Sequence, residues 1–415
     1  MIRDNSRNVG RRAKPTKGAM KICLAVLVLI IAWACAGDEP RPLEPIPRTQ
    51  RLPRPETRRI AASHPAQAAT QPAPPPFIIG VWYPPVAGMP VWKARGVNTA
   101  IGYEHQSGKV SLDEWINTAA ANELFTIRQP RERIADDATD PYLLAWMHID
   151  EPDLKKIDPA PLLDEYGEWK KAAPARPVFL SVSGGGVLFK KTPRAMYQDY
   201  FQTADWIAND FYPITGWNEP TWIPRLGEAV EVCRKLSGGK PQFAFIETSS
   251  QRLAWMPRET RGVTPDELRA EIWHAVIHGV RGIIYFPQQF NPFVYDATPS
   301  PVSVELATQN RLLAEMGEGL ASPANPKGLR ITSRPPVEVG WRRLKSGKFC
   351  AILLNDSPTP VTQQDIHLVG DNNERFLVTT NGENPLPMAD DAFTVDFSIY
   401  QVRIFTIEPL GQPPK

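Results

Sequence analysis

Eight apolar runs of strand length, separated by helical patterns, constrain the fold of this 415-residue chain more than any other feature. They cover residues 77–83, 96–103, 124–129, 142–150, 177–183, 206–212, 242–247 and 282–286. Several are apolar almost throughout, as a parallel strand buried on both faces must be. The helices between them carry start signals. Thr264-Pro265-Asp266-Glu267 combines a capping Thr, a Pro at the first helical position and a Glu that closes a capping box. Asp158-Pro159 opens another helix, and Leu306, Leu312, Leu313, Met316 and Leu320 form a helical stripe. Alternating strands and helices imply a parallel sheet. The expected fold class is α/β, a (β/α)8 TIM barrel over residues 77–322 followed by a small antiparallel β-sandwich over 323–412. A doubly wound open sheet is the alternative, although no Gly-rich phosphate loop follows the first strand.

The sandwich is read from short alternating runs at 348–354, 375–380 and 393–407, separated by Asn355-Asp356-Ser357 and Gly370-Asp371-Asn372-Asn373. The other end of the chain differs again. Seven of the first 21 residues are Arg or Lys, and a 13-residue apolar run, Ile22 to Ala34, follows them. That run is short for a spanning helix and suits an export signal, so residues 1–37 are expected to be a signal peptide or lipoprotein signal. Ala32-Trp33-Ala34-Cys35 resembles a lipobox without its usual Leu, which leaves lipidation of Cys35, plain cleavage and an uncleaved anchor as alternatives. Residues 38–76, with eleven prolines and six arginines between Asp38 and Pro76, read as a disordered tether. Membrane attachment is therefore expected, if at all, through the N-terminus.

The formal charge of +2 conceals this basic start, and nothing basic beyond it suggests a nucleic-acid partner. Of four cysteines, Cys233 and Cys350 lie outside the signal, in different expected domains, and read as small buried hydrophobes.

The chemistry is expected at strand ends, because α/β barrels keep their reactive groups at the C-terminal mouth. The fourth run ends in Asp150-Glu151-Pro152 and the seventh in Glu247. Glycoside hydrolysis needs one carboxyl to protonate the leaving oxygen, and in retaining enzymes a second, about 5 to 5.5 Å away, to attack the anomeric carbon. Adjacent Asp150 and Glu151 disfavour joint ionisation, which raises one pKa towards that of a general acid. Glu151 is therefore assigned as acid/base and Glu247, followed by Thr248, Ser249 and Ser250 that could orient it, as nucleophile.

With these residues, and with RAEIWHAVIHGVRGIIYF leading into strand eight, the chain resembles retaining glycoside hydrolases of the barrel clan whose acid/base ends strand four and whose nucleophile ends strand seven. The resemblance covers roughly residues 77–410. It implies an oligo- or polysaccharide substrate with β-linked sugars and a supporting role at the nucleophile for Tyr212, the end of strand six. Such relatives show Asn-Glu-Pro where this chain has Asp150-Glu151-Pro152, and an ionised Asp150 accepts a hydrogen bond from a sugar but cannot donate one. A literal Asn218-Glu219-Pro220 lies beyond strand six and reads as a turn.

Aromatic platforms and planar polar groups that would hold a sugar are expected from Trp82, Tyr83, Glu104, His105, Arg128, Phe286 and Gln288 at strand ends, with Trp217, Trp222 and Trp255 in loops. Trp146 and His148 lie mid-strand and read as core. His274 and His278 have the i, i+4 spacing of a helical metal site, but the sequence places no further ligand beside them, so no metal and no cofactor are expected. Ser183-Gly184-Gly185-Gly186 reads as an active-site loop. A non-catalytic carbohydrate-binding protein on the same scaffold is the functional alternative.

Overall fold

The computed structural model describes residues 72–103, 110–189, 194–250, 261–290, 292–371, 374–380, 384–389 and 391–410. Each of the eight apolar runs contains a strand: β1 (Ile78–Trp82), β2 (Thr99–Ile101), β3 (Phe125–Arg128), β4 (Leu143–Met147), β5 (Val178–Ser183), β6 (Trp206–Asp210), β7 (Gln242–Glu247) and β8 (Gly282–Phe286). They pair in parallel, in sequence order, and β8 returns to β1. The sheet is closed, which removes the open-sheet alternative. The leader, Cys35 and the tether as far as residue 71 lie outside the described residues, as do Glu104, His105 and Trp255.

Helices α1 (Met89–Ala94), α2 (Leu112–Ala121), α3 (Pro159–Ala172), α4 (Gly184–Phe189), α5 (Arg194–Gln202), α6 (Ile223–Leu236), α7 (Pro265–Ile277), α8 (Ser300–Glu315) and α9 (Gly317–Leu320) connect or follow the strands. The two capping predictions are met. Thr264 and Glu267 form a reciprocal capping box at α7, and Asp158 caps α3 by accepting from the Ala160 N–H at 3.0 Å. Among the described residues no helix is long and apolar enough to cross a membrane.

The near-continuous apolar strands serve two cores at once. Phe179, Ala208, Phe243, Phe245 and Ile284 fill the barrel lumen, whereas the alternate residues Ala244, Ile246 and Ile283 meet the helices outside. Gly282 sits where a Cβ would lie 2.6 Å from the Ile78 carbonyl, so only glycine lets β8 close onto β1.

A short hairpin, β9 (Gln289–Phe290) and β10 (Phe293–Val294), follows the barrel. The remaining strands are β11 (Leu329–Thr332), β12 (Val337–Arg343), β13 (Phe349–Asn355), β14 (Val361–Gly370), β15 (Phe376–Thr379), β16 (Ala392–Phe397) and β17 (Val402–Pro409). They form a three-stranded sheet, β11-β14-β16, and a four-stranded sheet, β12-β13-β17-β15. The apolar stretch 393–407 is thus two strands, β16 and β17, with a turn at residues 398–401 between them. Strand β13 is buried at every position. Phe349, Ala351 and Leu353 pack into the sandwich, while Ile352 and Leu354 pack with the barrel helices. Arg342, 1% exposed, donates to the Val276 carbonyl near the C-terminal end of α7, where the helix dipole favours a cation. Cys233 and Cys350 are buried free thiols.

Candidate active site

Strand β4 ends at Met147, and the chain then leaves the sheet so that residues 150–153 lie over the mouth of β5. Two serines of β5 hold them there. The Ser181 hydroxyl donates to Asp150 Oδ1 at 2.6 Å and lies 3.5 Å from the Glu151 N–H. The Ser183 N–H donates to Asp153 Oδ1 at 3.1 Å, and the Tyr197 hydroxyl donates to Asp153 Oδ2 at 2.9 Å. Glu151 itself has φ +42°, a left-handed conformation that a glutamate adopts only when its surroundings impose it. Burial raises the Asp150 pKa above the ordinary carboxylate value, against the Ser181 hydrogen bond and Lys155, whose ammonium is 3.9 Å from Asp150 Oδ2. Proximity of Glu151 is not the main cause, contrary to the sequence argument.

Asp210, the last residue of β6, joins this group. In that strand Ala208 faces the lumen, as does Tyr212 beyond it, and Asp210 shares their side. Burial, followed by the charges of Glu151 and Asp150, raises its pKa well above the ordinary carboxylate value. The Tyr212 ring packs at a tilt against Phe286 with centroids 5.0 Å apart. Its hydroxyl faces Asp210 without closing a hydrogen bond of normal geometry, and burial and Asp210 raise its pKa well above the ordinary phenol value. Tyr212, expected to support the strand-seven acid, lies beside Asp210.

Glu247, the nucleophile expected from sequence, occupies a different environment. Its side chain is 0% exposed. The N–H of Ile214 donates to Oε1 at 2.7 Å, and the N–H of Thr215 to Oε2 at 2.6 Å; the Thr215 hydroxyl donates to Oε2 as well. Behind it on α7 stands Glu271, also 0% exposed, whose oxygens have no other partner of ordinary geometry among the described residues. Burial and the Glu247 charge raise the Glu271 pKa well above the ordinary carboxylate value, and burial raises that of Glu247 as well, against its hydrogen bonds to Glu271, Thr215 and Ile214. Of the hydroxyls expected to orient Glu247, that of Thr248 pairs with Thr298 at 2.9 Å. The loop after β6 supplies donors from Ile214 and Thr215.

Arg128, expected at the sugar, is fully buried, and its guanidinium forks onto Asp137 at 2.6 and 3.1 Å and reaches Asp140 at 3.1 Å. Trp146 and His148 are core, as expected: Trp146 donates to Asp137 at 2.9 Å, and His148 stacks on Trp169 outside the barrel. Trp82, 3% exposed, packs edge-on against Phe245 and Tyr83 and closes the top of the lumen. Tyr83, half-buried with φ +45°, lines a cleft of about 670 Å³ together with Gln129, Asp150 and Lys155. Gln288, 5% exposed, has an Nε2 with no hydrogen-bond partner among the described residues, a buried donor left for a ligand. Trp217 and Trp222 gather with Phe189 at centroid separations of 5.0 to 5.5 Å.

The expected glycine loop is helix α4, and its glycines are steric. A Cβ on Gly186 would lie 2.5 Å from the Tyr197 hydroxyl and 2.9 Å from Asp153 Oδ2. Asn218-Glu219-Pro220 lies in the turn before α6, with Asn218 at φ +54°. Of the residues not singled out from sequence, Ser181, Asp153 and Asp210, the strand residues Ser181 and Asp210 had a signal in strand parity. In β5, Leu180 and Val182 face outward, so the serines between them must face the lumen.

Residues 145–318 match the glycoside hydrolase 42 family model, described as beta-galactosidase. Among solved structures, a Bacteroides fragilis protein given as a candidate alpha-galactosidase/melibiase is similar at 11% identity, covering 80% of this chain and 79% of that one with a TM-score of 0.50. An AmyP variant in complex with maltotriose is similar at 6% identity over 78% and 90%, also at 0.50. Beta-galactosidase from the psychrophilic Marinomonas ef1 is similar at 12% identity over 60% and 62%, at 0.43. These likenesses are of fold. No curated protein matches the sequence. The family match and the closed barrel bear out the resemblance read from the sequence: the chain carries a (β/α)8 barrel of the glycoside hydrolase type, and its activity is that of a glycosidase.

Proposed function

We propose that this glycoside hydrolase cleaves a β-linked glycan with Glu151 and Asp210 as the reacting carboxyls, in place of the Glu151 and Glu247 pair expected from sequence. The observation that carries the reading is the electrostatic coupling of Glu151, Asp150 and Asp210 beside Tyr212 at the barrel mouth, while Glu247 is sealed behind the loop after β6. Asp210, held neutral by burial and by its acidic neighbours, gives its proton to the glycosidic oxygen as the bond from the anomeric carbon to that oxygen breaks. Glu151 attacks the anomeric carbon and forms a glycosyl ester. Water, losing a proton to the Asp210 carboxylate, then displaces Glu151 and restores both groups, with retention at the anomeric carbon. Trp82, Tyr83, Phe286 and Gln288 surround the sugar. A β-galactoside is the first substrate to test, since the family model bears that description.

Hydrolysis of nitrophenyl glycosides and of oligosaccharides by the Asp210→Asn, Glu151→Gln and Glu247→Gln variants separates the possibilities. Loss of turnover by about 10² to 10⁴-fold is expected for the first two. The Asp210→Asn loss should shrink with a nitrophenolate leaving group, which needs little protonation. If Glu247→Gln alone abolishes turnover and Asp210→Asn does not, the pair expected from sequence is restored. The anomer first released, followed by NMR, tests retention.

Export belongs to the same reading, supported by the basic start, the apolar run Ile22 to Ala34 and the Pro-rich tether. Mass measurement of the mature N-terminus after expression in a Gram-negative host tests it. Processing before Cys35 with added lipid is the lipoprotein outcome, and an intact cytoplasmic chain would refute export.

A further inference from the structure

His274 and His278 of α7 lie against the β-sandwich, and the fold supplies acidic partners for them. Glu338 comes from β12 and Asp356 from the turn after β13. His274 Nε2 is 3.3 Å from Glu338 Oε2 and 3.5 Å from Asp356 Oδ2, and His278 Nε2 is 3.2 Å from the same Glu338 oxygen. The two imidazoles are stacked, with centroids 4.8 Å apart and planes 9° apart, so both Nε2 atoms point to one side.

Three features distinguish this cluster from an ordinary surface ion pair. His274 is 1% exposed, yet neither of its ring nitrogens makes a hydrogen bond of normal geometry, and Asp356 Oδ1 has no partner among the described residues. The His274 nitrogens are close to their carboxylate neighbours without being aimed at them, whereas His278 Nε2 and Glu338 Oε2 meet in hydrogen-bond geometry at 3.2 Å. For a tetrahedral ion bound at about 2.0 to 2.1 Å, the ligand-to-ligand edges are about 3.3 to 3.4 Å; the carboxylate–imidazole separations of 3.2, 3.3 and 3.5 Å lie near that value, and His274, His278 and Glu338 offer ligand atoms all within 4.8 Å of one another. Glu231 on α6 is 2.7 Å from His278 Nδ1, a carboxylate placed to fix the tautomer that leaves Nε2 free to bind metal. On the same helix, a Cβ on Gly227 would lie 2.5 Å from His274 Nδ1 and 2.3 Å from His278 Cδ2, so glycine there makes room for the stacked rings.

We propose that His274, His278 and Glu338, with Asp356 beside His274, bind one zinc-class divalent cation, which clamps the β-sandwich to the barrel helix α7. Two imidazoles and a carboxylate suit zinc, and ligands drawn from both the helix and the sandwich give the site a structural role.

The test uses the full chain, stripped with a chelator and titrated calorimetrically with zinc, with cobalt(II) as a spectroscopic substitute. One equivalent should bind, cobalt should give the intense visible bands of a tetrahedral site, and zinc should raise the melting temperature. Glu338→Gln and His278→Gln replace partly exposed ligands and are less prone to misfold than a change at buried His274. Each should lower zinc affinity by about a hundredfold or more, and Glu231→Gln by about 10- to 100-fold. If the stripped wild-type chain takes up no zinc, or if zinc binds with unchanged affinity in both Glu338→Gln and His278→Gln, the proposal fails and the cluster is a set of histidine–carboxylate ion pairs.

Discussion

Glu247, the last residue of β7, accepts both the backbone N–H and the hydroxyl of Thr215 on the same carboxylate oxygen, with the N–H at 2.6 Å. The other oxygen takes the Ile214 N–H at 2.7 Å. One strand-end carboxylate thereby fixes the loop that carries Tyr212 towards Asp210.

Glu247→Gln is expected to unfold more easily than the wild type, because a single amide oxygen cannot serve both N–H groups and the amide NH2 faces a donor. A buried donor left unpaired costs about 1–3 kcal/mol. Urea unfolding of the two proteins measures it. Equal stability together with lost turnover would return Glu247 to the role of nucleophile.

The basic limb of kcat/KM is expected to lie above the ordinary aspartate range. Asp210 must be protonated to act, and burial with Glu151 and Asp150 beside it raises its pKa. Activity is full below that raised pKa and falls as pH rises through it. In Asp210→Asn the limb should vanish from the residual rate; a pH–rate profile in which it persists assigns it to another group.

Glu271→Gln is expected to flatten the dependence of stability on pH. Unfolded, Glu271 releases its proton near 4.5, whereas folded it holds the proton well above that value. Between the two values the folded chain binds the extra proton, so stability declines as pH rises. Glutamine carries no such proton, and the slopes should differ by about 1.4 kcal/mol per pH unit in that window. Denaturant midpoints from pH 5 to pH 8 supply the comparison, and parallel slopes would show that Glu271 is ionised in the fold.

Arg128→Met should damage the fold and spare the chemistry. Removing one partner of a buried ion pair costs about 3–5 kcal/mol, with the lower value expected because Arg131 still reaches Asp137 at 2.7 Å. A raised KM at undiminished stability would instead place Arg128 at the sugar.

The eight strands were legible because each is an apolar run, with helix caps between some of them, and both of those signals are local. Capping at Thr264 and Asp158 followed from residues within one turn. The site was legible only where it depends on strand ends, as at Asp150 and Glu151. Whether a terminal acid faces the lumen or a loop depends on what lies across from it, and nothing near Glu247 in sequence announces Ile214, Thr215 or Glu271. Arg128 illustrates the same limit from the other side, since its partner Asp137 follows nine residues later in a loop that reads only as polar. The division of residues 393–407 into β16 and β17 was hidden because the turn between them carries Ile399 and Tyr400, the latter 6% exposed and packed with the barrel helices.

Helix α7 has the barrel on one side and β12 and β13 on the other, with ten of its 13 residues buried. A helix with two dry faces belongs to neither domain alone. The C-terminal sandwich is therefore no interchangeable accessory: a gene truncated after α9 would encode a barrel with one wall missing, and recombination at that boundary would have to carry a matching helix with it.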